Sequence, residues 1–266
     1  MEKIFGFIGA GNMGGALARS AARTVPGKQI LIANRTAAKA EALAAELGAC
    51  ASDNITAAQR ADYIILGVKP QMFPELTAEL APVLAARQSP FVLVTMAAGI
   101  TIERLRALLH GDWPVIRIMP NTPCSVGRGV ILYTAEGVED ADVRAFLAAM
   151  DGAGELIELP ETLFDAGSAV SGCGPAFVDL FIEAMADGGV ACGLPRAAAL
   201  RLAARTAEGA AALLLGSGRH PGELKDAVCS PGGTTIQGVR ALENAAFRGA
   251  VIEAVIAAWA KNRDLG

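Results

Sequence analysis

Short apolar runs alternate with amphipathic stretches over the first 160 residues. Runs at 3–8, 29–33, 62–68, 91–95, 114–119, 129–134 and 154–159 have strand length, and helical spacing fills most of the gaps, as in Ala16 to Ala22 and Ala37 to Leu47. That order predicts a parallel, doubly wound sheet, with one or two of the short later strands free to run antiparallel. From about Glu161 the strand pattern stops. Helical patterns occupy 161–192, 196–216, 220–228, 233–244 and 246–263, with breaks at Gly193-Leu194-Pro195 and Gly216-Ser217-Gly218. The chain therefore divides into an α/β domain over 1–160 and an all-helical domain over 161–266.

The helical half is too apolar for its size. Ala197 to Leu215 and Ala245 to Ala260 carry apolar residues around most of their circumference, and a helix apolar all round is a buried one. So small a domain cannot hide that much surface alone, which predicts a homodimer formed through these helices. One well-buried central helix in a monomer is the alternative.

Composition narrows the class. The chain has 266 residues, 53% of them apolar and only 5% aromatic, so the core is built from Ala, Leu, Val and Ile. A net charge of −4 argues against nucleic acid as a partner. Charged residues interrupt every apolar stretch before the roughly 20 residues a membrane span needs, so no membrane partner is expected. Cys50, Cys124, Cys173, Cys192 and Cys229 show no CxxC spacing. They read as reduced thiols of a cytoplasmic protein, with no metal site and no disulfide framework.

Candidate chemistry begins at the N-terminus. The run Lys3 to Ile8 leads directly into Gly9-Ala10-Gly11-Asn12-Met13-Gly14 and then into a helix, a GxGxxG in the strand–turn–helix context of a Rossmann-like dinucleotide site. Gly9 allows the tight turn, Gly11 lets a pyrophosphate approach the backbone, and Gly14 brings helix close to strand. A secretory signal is the rival reading of a Lys followed by an apolar run, but the glycines and Asn12 interrupt it and no convincing cleavage site follows. The second strand ends in Asn34-Arg35-Thr36, where NAD-binding folds usually place an acid. Arg35 can pair with a 2′-phosphate, and Asn34 and Thr36 can donate hydrogen bonds to it, which favours NADP over NAD. Thr36 also suits a plain helix cap.

Three further loops follow strands: Gly67-Val68-Lys69-Pro70, Ala97-Ala98-Gly99 and Met119-Pro120-Asn121-Thr122-Pro123. The ends of strands are where a doubly wound sheet binds ligands. Near the C-terminus, Ser230-Pro231-Gly232-Gly233-Thr234-Thr235 forms a tight turn between two helices, with Pro231 expected to stop the first. Gly232 and Gly233 open backbone paths that a Cβ resists. Thr234 and Thr235 set hydroxyls and free N–H groups at the start of the next helix, a place suited to a small carboxylate. A capped helix–turn–helix without chemistry is the plainer reading.

The stretch Leu224 to Glu243, LKDAVCSPGGTTIQGVRALE, closely resembles the C-terminal signature of pyrroline-5-carboxylate reductases, and the resemblance extends over nearly the whole chain. It implies an N-terminal Rossmann-like domain, a helical substrate-binding and dimerisation domain, and reduction of 1-pyrroline-5-carboxylate to L-proline with NADPH preferred over NADH. By the same resemblance Asn54 lies near the adenosine end of the cofactor, Val68 and Lys69 line it with Pro70 and Ala97 in the matching loops, and Asn121 sits near the nicotinamide. Ser230, Gly233 and Thr234 would hold the substrate carboxylate, and the Thr235 hydroxyl would face the ring nitrogen. Ser171-Gly172-Cys173-Gly174-Pro175-Ala176 resembles the family's SGSGPA segment, with Cys173 where Ser is commoner. A higher oligomer of dimers stays open.

The residues accord with that chemistry. The chain has only His110 and His220, neither in a strong catalytic setting, and no Ser-His-Asp arrangement. Carbonyl reduction needs a positioned acid. A cyclic imine can arrive already protonated, so hydride transfer leaves a neutral amine, and hydroxyls with backbone N–H groups suffice. A 3-hydroxyacid dehydrogenase, the nearest enzymatic rival, carries a catalytic Lys on the first long helix after the sheet. Ser168 to Met185 contains none. A non-enzymatic NADP-binding protein of the same fold is the other alternative.

Overall fold

The computed structural model describes residues 3–264. They form two compact units. One runs to Gly172 and takes in the chain end from Trp259; the other is Cys173–Ala258.

The first unit is built on one sheet, β1 Phe5–Ile8, β2 Ile30–Ala33, β3 Cys50–Ser52, β4 Tyr63–Leu66, β5 Val92–Thr95, β6 Val115–Pro120, β7 Gly129–Glu136 and β8 Gly154–Glu158. Its spatial order is β3-β2-β1-β4-β5-β6-β7-β8. Every neighbouring pair is parallel except β6–β7, so β7 and β8 run opposite to the rest. The first six strands thus follow the doubly wound Rossmann order. Its helices are α1 Asn12–Ala21, α2 Ala37–Leu47, α3 Asn54–Arg60, α4 Phe73–Ala85, α5 Ile102–Leu109, α6 Asp140–Met150 and α7 Phe164–Ser171.

Alternation along the strands explains the two layers. Phe5, Phe7, Ile30, Ile32, Tyr63, Ile65, Val92 and Val94 belong to one buried cluster. Ile8, Leu31, Ala33, Ile64, Leu66 and Leu93, at the intervening positions, belong to the other. Successive side chains point to opposite faces, so strands apolar at every position demand helices on both sides.

Two expectations change. β3 was not foreseen: it is three residues long, its Cys50 and Ala51 are exposed, and it joins the sheet only through parallel pairing with Leu31–Ala33. The expected helix 161–192 is broken at Gly172-Cys173, dividing α7 from α8 Gly174–Ala191. The compact unit that holds the sheet extends through Gly172. The reason is that α7 belongs to the sheet layer: Phe164 and Ala169 are fully buried, and a Cβ on Gly167 would press on Leu132 of β7 at 2.6 Å.

The second unit contains α8, α9 Arg196–Ser217, α10 Pro221–Ala227, α11 Thr234–Asn244 and the start of α12 Phe247–Arg263. Its own core is small: Ala186, Ala199 and Ala203, with Ile182 and Val190 against them. Large apolar side chains stay exposed, among them Leu180 at 67% and Leu215 at 77%. An apolar cavity of about 610 Å³ opens between α8 and α12, lined by Phe177, Leu180, Phe181, Met185, Phe247 and Val251. Within Glu161–Ala191 an 18-residue window reaches a mean hydropathy of 1.3, apolar enough by length and composition alone to cross a membrane. Asp165, Asp179, Glu183 and Asp187 punctuate it.

Candidate active site

The glycine loop after β1 packs so tightly that side chains are excluded. Gly9 adopts φ +110°, and its N–H donates to the Ala33 carbonyl at 2.8 Å. A Cβ on Gly14 would collide with the Gly9 carbonyl oxygen, and one on Gly67 would meet that same oxygen at 2.9 Å. Gly11 differs: a Cβ there would meet nothing within 4 Å. Its open side faces outward, where a ligand can come down on the backbone. Gly11 is also the N-cap of α1, which has no side-chain cap and no acid in its first turn, so the N–H groups at the helix start remain available to an anion.

The end of β2 is tied to this loop. Asn34 Oδ1 accepts the Ala10 N–H at 3.1 Å, and Asn34 Nδ2 donates to the Thr36 carbonyl at 3.1 Å. Its amide thereby holds the two loops together. Arg35 and Thr36 are exposed beside it.

A cleft of about 440 Å³ gathers these parts. Gly9, Gly11, Asn34, Arg35, Thr36, Asn54, Val68 and Lys69 all line it. Sequence reasoning missed Lys39, Glu75 and Glu79, which line it too. Lys39 sits in the first turn of α2, four residues beyond Arg35. Asn54 opens α3 and donates to Glu79 at 2.9 Å. Asp53 caps that helix, accepting the Thr56 N–H and hydroxyl, both at 2.8 Å. The Thr56 N–H, then its hydroxyl, hold the Asp53 carboxyl below the usual carboxylate range.

Other expected residues lie away from the cleft lining. Asn12 is exposed at the start of α1, and Met13 is half-buried against the core. Gly14 is buried in the loop-to-helix contact, and Pro70 begins a short 3-10 turn. Ala97 is buried in the core at 3% exposure. Asn121 is buried as well, donating to the Ser171 carbonyl and accepting the Val130 N–H, both at 2.9 Å.

The cleft fits a phosphorylated dinucleotide: a backbone approach at Gly11, open N–H groups on α1, and two exposed cations at the β2 end. Among the described residues no cluster could hold a metal ion.

In the second unit, α10 ends at Ala227, before Pro231, so the chain leaves the helix earlier than the proline requires. The Gly233 N–H donates to the Ser230 carbonyl at 3.0 Å. Pro231 follows Ser230, and Gly232 has φ +69°, the pattern of a type II turn. A Cβ on Gly233 would collide with the Ser230 hydroxyl. Gly233 then caps α11 without a side-chain bond, and α11 has no acid in its first turn. Ser230, Thr234 and Thr235 are exposed there.

Comparison with known proteins agrees with both halves. Residues 161–265 match the family model "Pyrroline-5-carboxylate reductase dimerisation", and residues 4–99 match "NADP oxidoreductase coenzyme F420-dependent". Pyrroline-5-carboxylate reductase of Escherichia coli K12 is 40% identical, over 100% of this chain and 99% of its own. The solved pyrroline carboxylate reductase of Plasmodium falciparum with NADP bound superposes at TM-score 0.88 with 31% identity, covering 100% and 99% of the two chains. That of Coxiella burnetii reaches TM-score 0.93 at 29% identity with the same coverage. A Rossmann cleft with cations at the end of β2, a Ser-Pro-Gly-Gly-Thr-Thr turn and full-length identity of this order place the chain in the pyrroline-5-carboxylate reductase family.

Proposed function

We infer that the protein reduces 1-pyrroline-5-carboxylate to L-proline with NADPH, with NADH a weaker donor, as a soluble cytoplasmic homodimer. The dimer contact is the exposed apolar face of the helical unit, and dimers are free to assemble further. The observation that carries this reading is the Ser230–Gly233 turn, which delivers exposed hydroxyls and open N–H groups to the start of α11.

When bound, NADPH supplies the hydride. Gly9, Gly11, Asn12, Met13 and Gly14 hold its pyrophosphate end, Asn34, Arg35 and Thr36 frame the 2′-phosphate, and Asn54 takes the adenosine. Val68, Lys69, Pro70, Ala97 and Asn121 shape the nicotinamide side. The N–H groups and hydroxyls of Ser230, Gly233 and Thr234 take the substrate carboxylate, where the helix dipole favours negative charge. The Thr235 hydroxyl accepts a hydrogen bond from the iminium N–H and so orients the C=N carbon. Hydride reaches that carbon, the C=N electron pair passes to nitrogen, and the product is a neutral secondary amine. No general acid is required, and most of the rate comes from positioning.

The test is direct. NADPH should be consumed when pyrroline-5-carboxylate is added, with proline formed in equal amount. Consumption without proline, or none at all, rejects the assignment.

A further inference from the structure

We propose that Glu79 is a positioning residue for the cofactor: it locks the Asn54 amide so that the amide oxygen is offered to a hydrogen-bond donor of the adenosine. The proposal rests on the reading of Asn54 as the residue at the adenosine end of the cleft. Asn54 is the first residue of α3 and Glu79 lies inside α4, yet both line the 440 Å³ cleft. Asn54 Nδ2 donates to Glu79 Oε2 at 2.9 Å. Cations line the same cleft, but among the described residues Glu79 pairs with none of them; its bond is to Asn54. Asp53 fixes the backbone at this point by capping α3 through Thr56. Glu79 fixes the side chain next to it.

The orientation follows from the chemistry of the pair. An amide has a donor at one end and an acceptor at the other, whereas an ionised carboxylate can only accept. Beside Glu79 the Asn54 amide therefore has one orientation, with nitrogen toward the carboxylate and oxygen away from it. No described residue donates to that oxygen, and Asn54 is half-buried. The adenosine of NADP carries donors that suit it, the 6-amino group of the base and the 3′-hydroxyl of the ribose. Charge alone predicts the opposite effect, because a carboxylate beside a phosphorylated ligand repels it. Removing Glu79 should thus tighten binding if the residue is only a charge, and weaken binding if it holds Asn54.

The experiment is calorimetric titration of the intact protein with NADP and with nicotinamide hypoxanthine dinucleotide phosphate, whose base carries a carbonyl in place of the 6-amino donor. Glu79→Ala should weaken NADP about 2- to 10-fold, the range for one hydrogen bond. Glu79→Gln, whose side-chain oxygen can still accept from Asn54, should recover most of the loss. In an Asn54→Ala background Glu79→Ala should add nothing, because no amide is left to position. Weakening confined to NADP assigns the 6-amino group as the donor, and equal weakening of both ligands assigns the 3′-hydroxyl. Unchanged or tighter NADP binding by Glu79→Ala, or the same loss in the Asn54→Ala background, overturns the proposal. If Asn54→Ala alone binds NADP as the unaltered protein does, the adenosine reading of Asn54 has itself failed, and the proposal falls with it.

Discussion

Asn121 donates its side-chain amide to the Ser171 carbonyl at 2.9 Å, so the end of β6 holds the last residue of α7. Its oxygen accepts the Val130 N–H, which ties in β7. Four residues earlier, within β6, Arg117 pairs with Glu161 at 2.7 Å and lies over the Phe164 ring. Arg117 of β6 thus meets the start of α7, and Asn121 just past the strand meets its end.

Replacing Asn121 by Ala should leave the half-buried Val130 N–H without its partner. The expected loss is about 1–3 kcal/mol in a denaturant titration. Unchanged stability would mean that water replaces the amide.

Arg117 is buried, with Nε lacking any hydrogen-bond partner. Arg117→Ala should cost about 3 kcal/mol, the lower end for breaking a buried pair, because Glu161 keeps some solvent contact. Glu161 also accepts the Ile102 N–H at 2.9 Å, so Glu161→Gln should be milder than Arg117→Ala. The reverse order in thermal unfolding would contradict this division.

Thr235→Ala should lower kcat/KM for pyrroline-5-carboxylate about 10- to 100-fold while NADPH affinity stays near the unaltered value, the range for one hydrogen bond to a charged centre. Thr235→Ser should recover much of the rate. Full activity in the Ala variant would make the turn purely structural.

Asp53 gives a pH signature. Its folded-state pKa is depressed by the Thr56 N–H and hydroxyl. The stability it contributes is present above its unfolded pKa of about 3.9 and is lost as pH falls through the lower folded value. Asp53→Asn keeps a capping side chain but cannot titrate. Its stability should fall less than the unaltered protein's on acidification, while Asp53→Ala should cost about 0.5–2 kcal/mol at neutral pH. Parallel acid profiles for Asp53→Asn and the unaltered protein would remove Asp53 from the explanation.

Leu180 and Val251 both line the apolar cavity of the helical unit, 67% and 42% exposed. Leu180→Glu with Val251→Glu should convert the dimer to monomer in sedimentation velocity, because a carboxylate in an apolar contact loses its hydration without gaining a partner. A dimer that survives both changes would have to form through another face.

Much of this was written in local pattern. The apolar runs of 62–68 and 91–95 announced central strands, and GxGxxG after β1 announced the tight glycine loop, because its glycines answer to steric demands within a few residues. The Ser230–Thr235 turn was legible for the same reason: Pro231 and Gly232 specify a turn type by backbone geometry alone. What needed the tertiary structure depended on neighbours distant in sequence. β3 is a strand only because Leu31–Ala33 offer it an edge, and α7 belongs to the sheet unit only because β6 and β7 hold it. Asn34 looked like a free donor, yet folding engages its amide with Ala10 and Thr36, and it sets Asn121 between Ser171 and Val130. Lys39 was one exposed lysine among others until α2 brought it to the cleft beside Arg35. Residue type and spacing determine which bonds a segment can make, and only the packed chain decides which of those bonds are already taken.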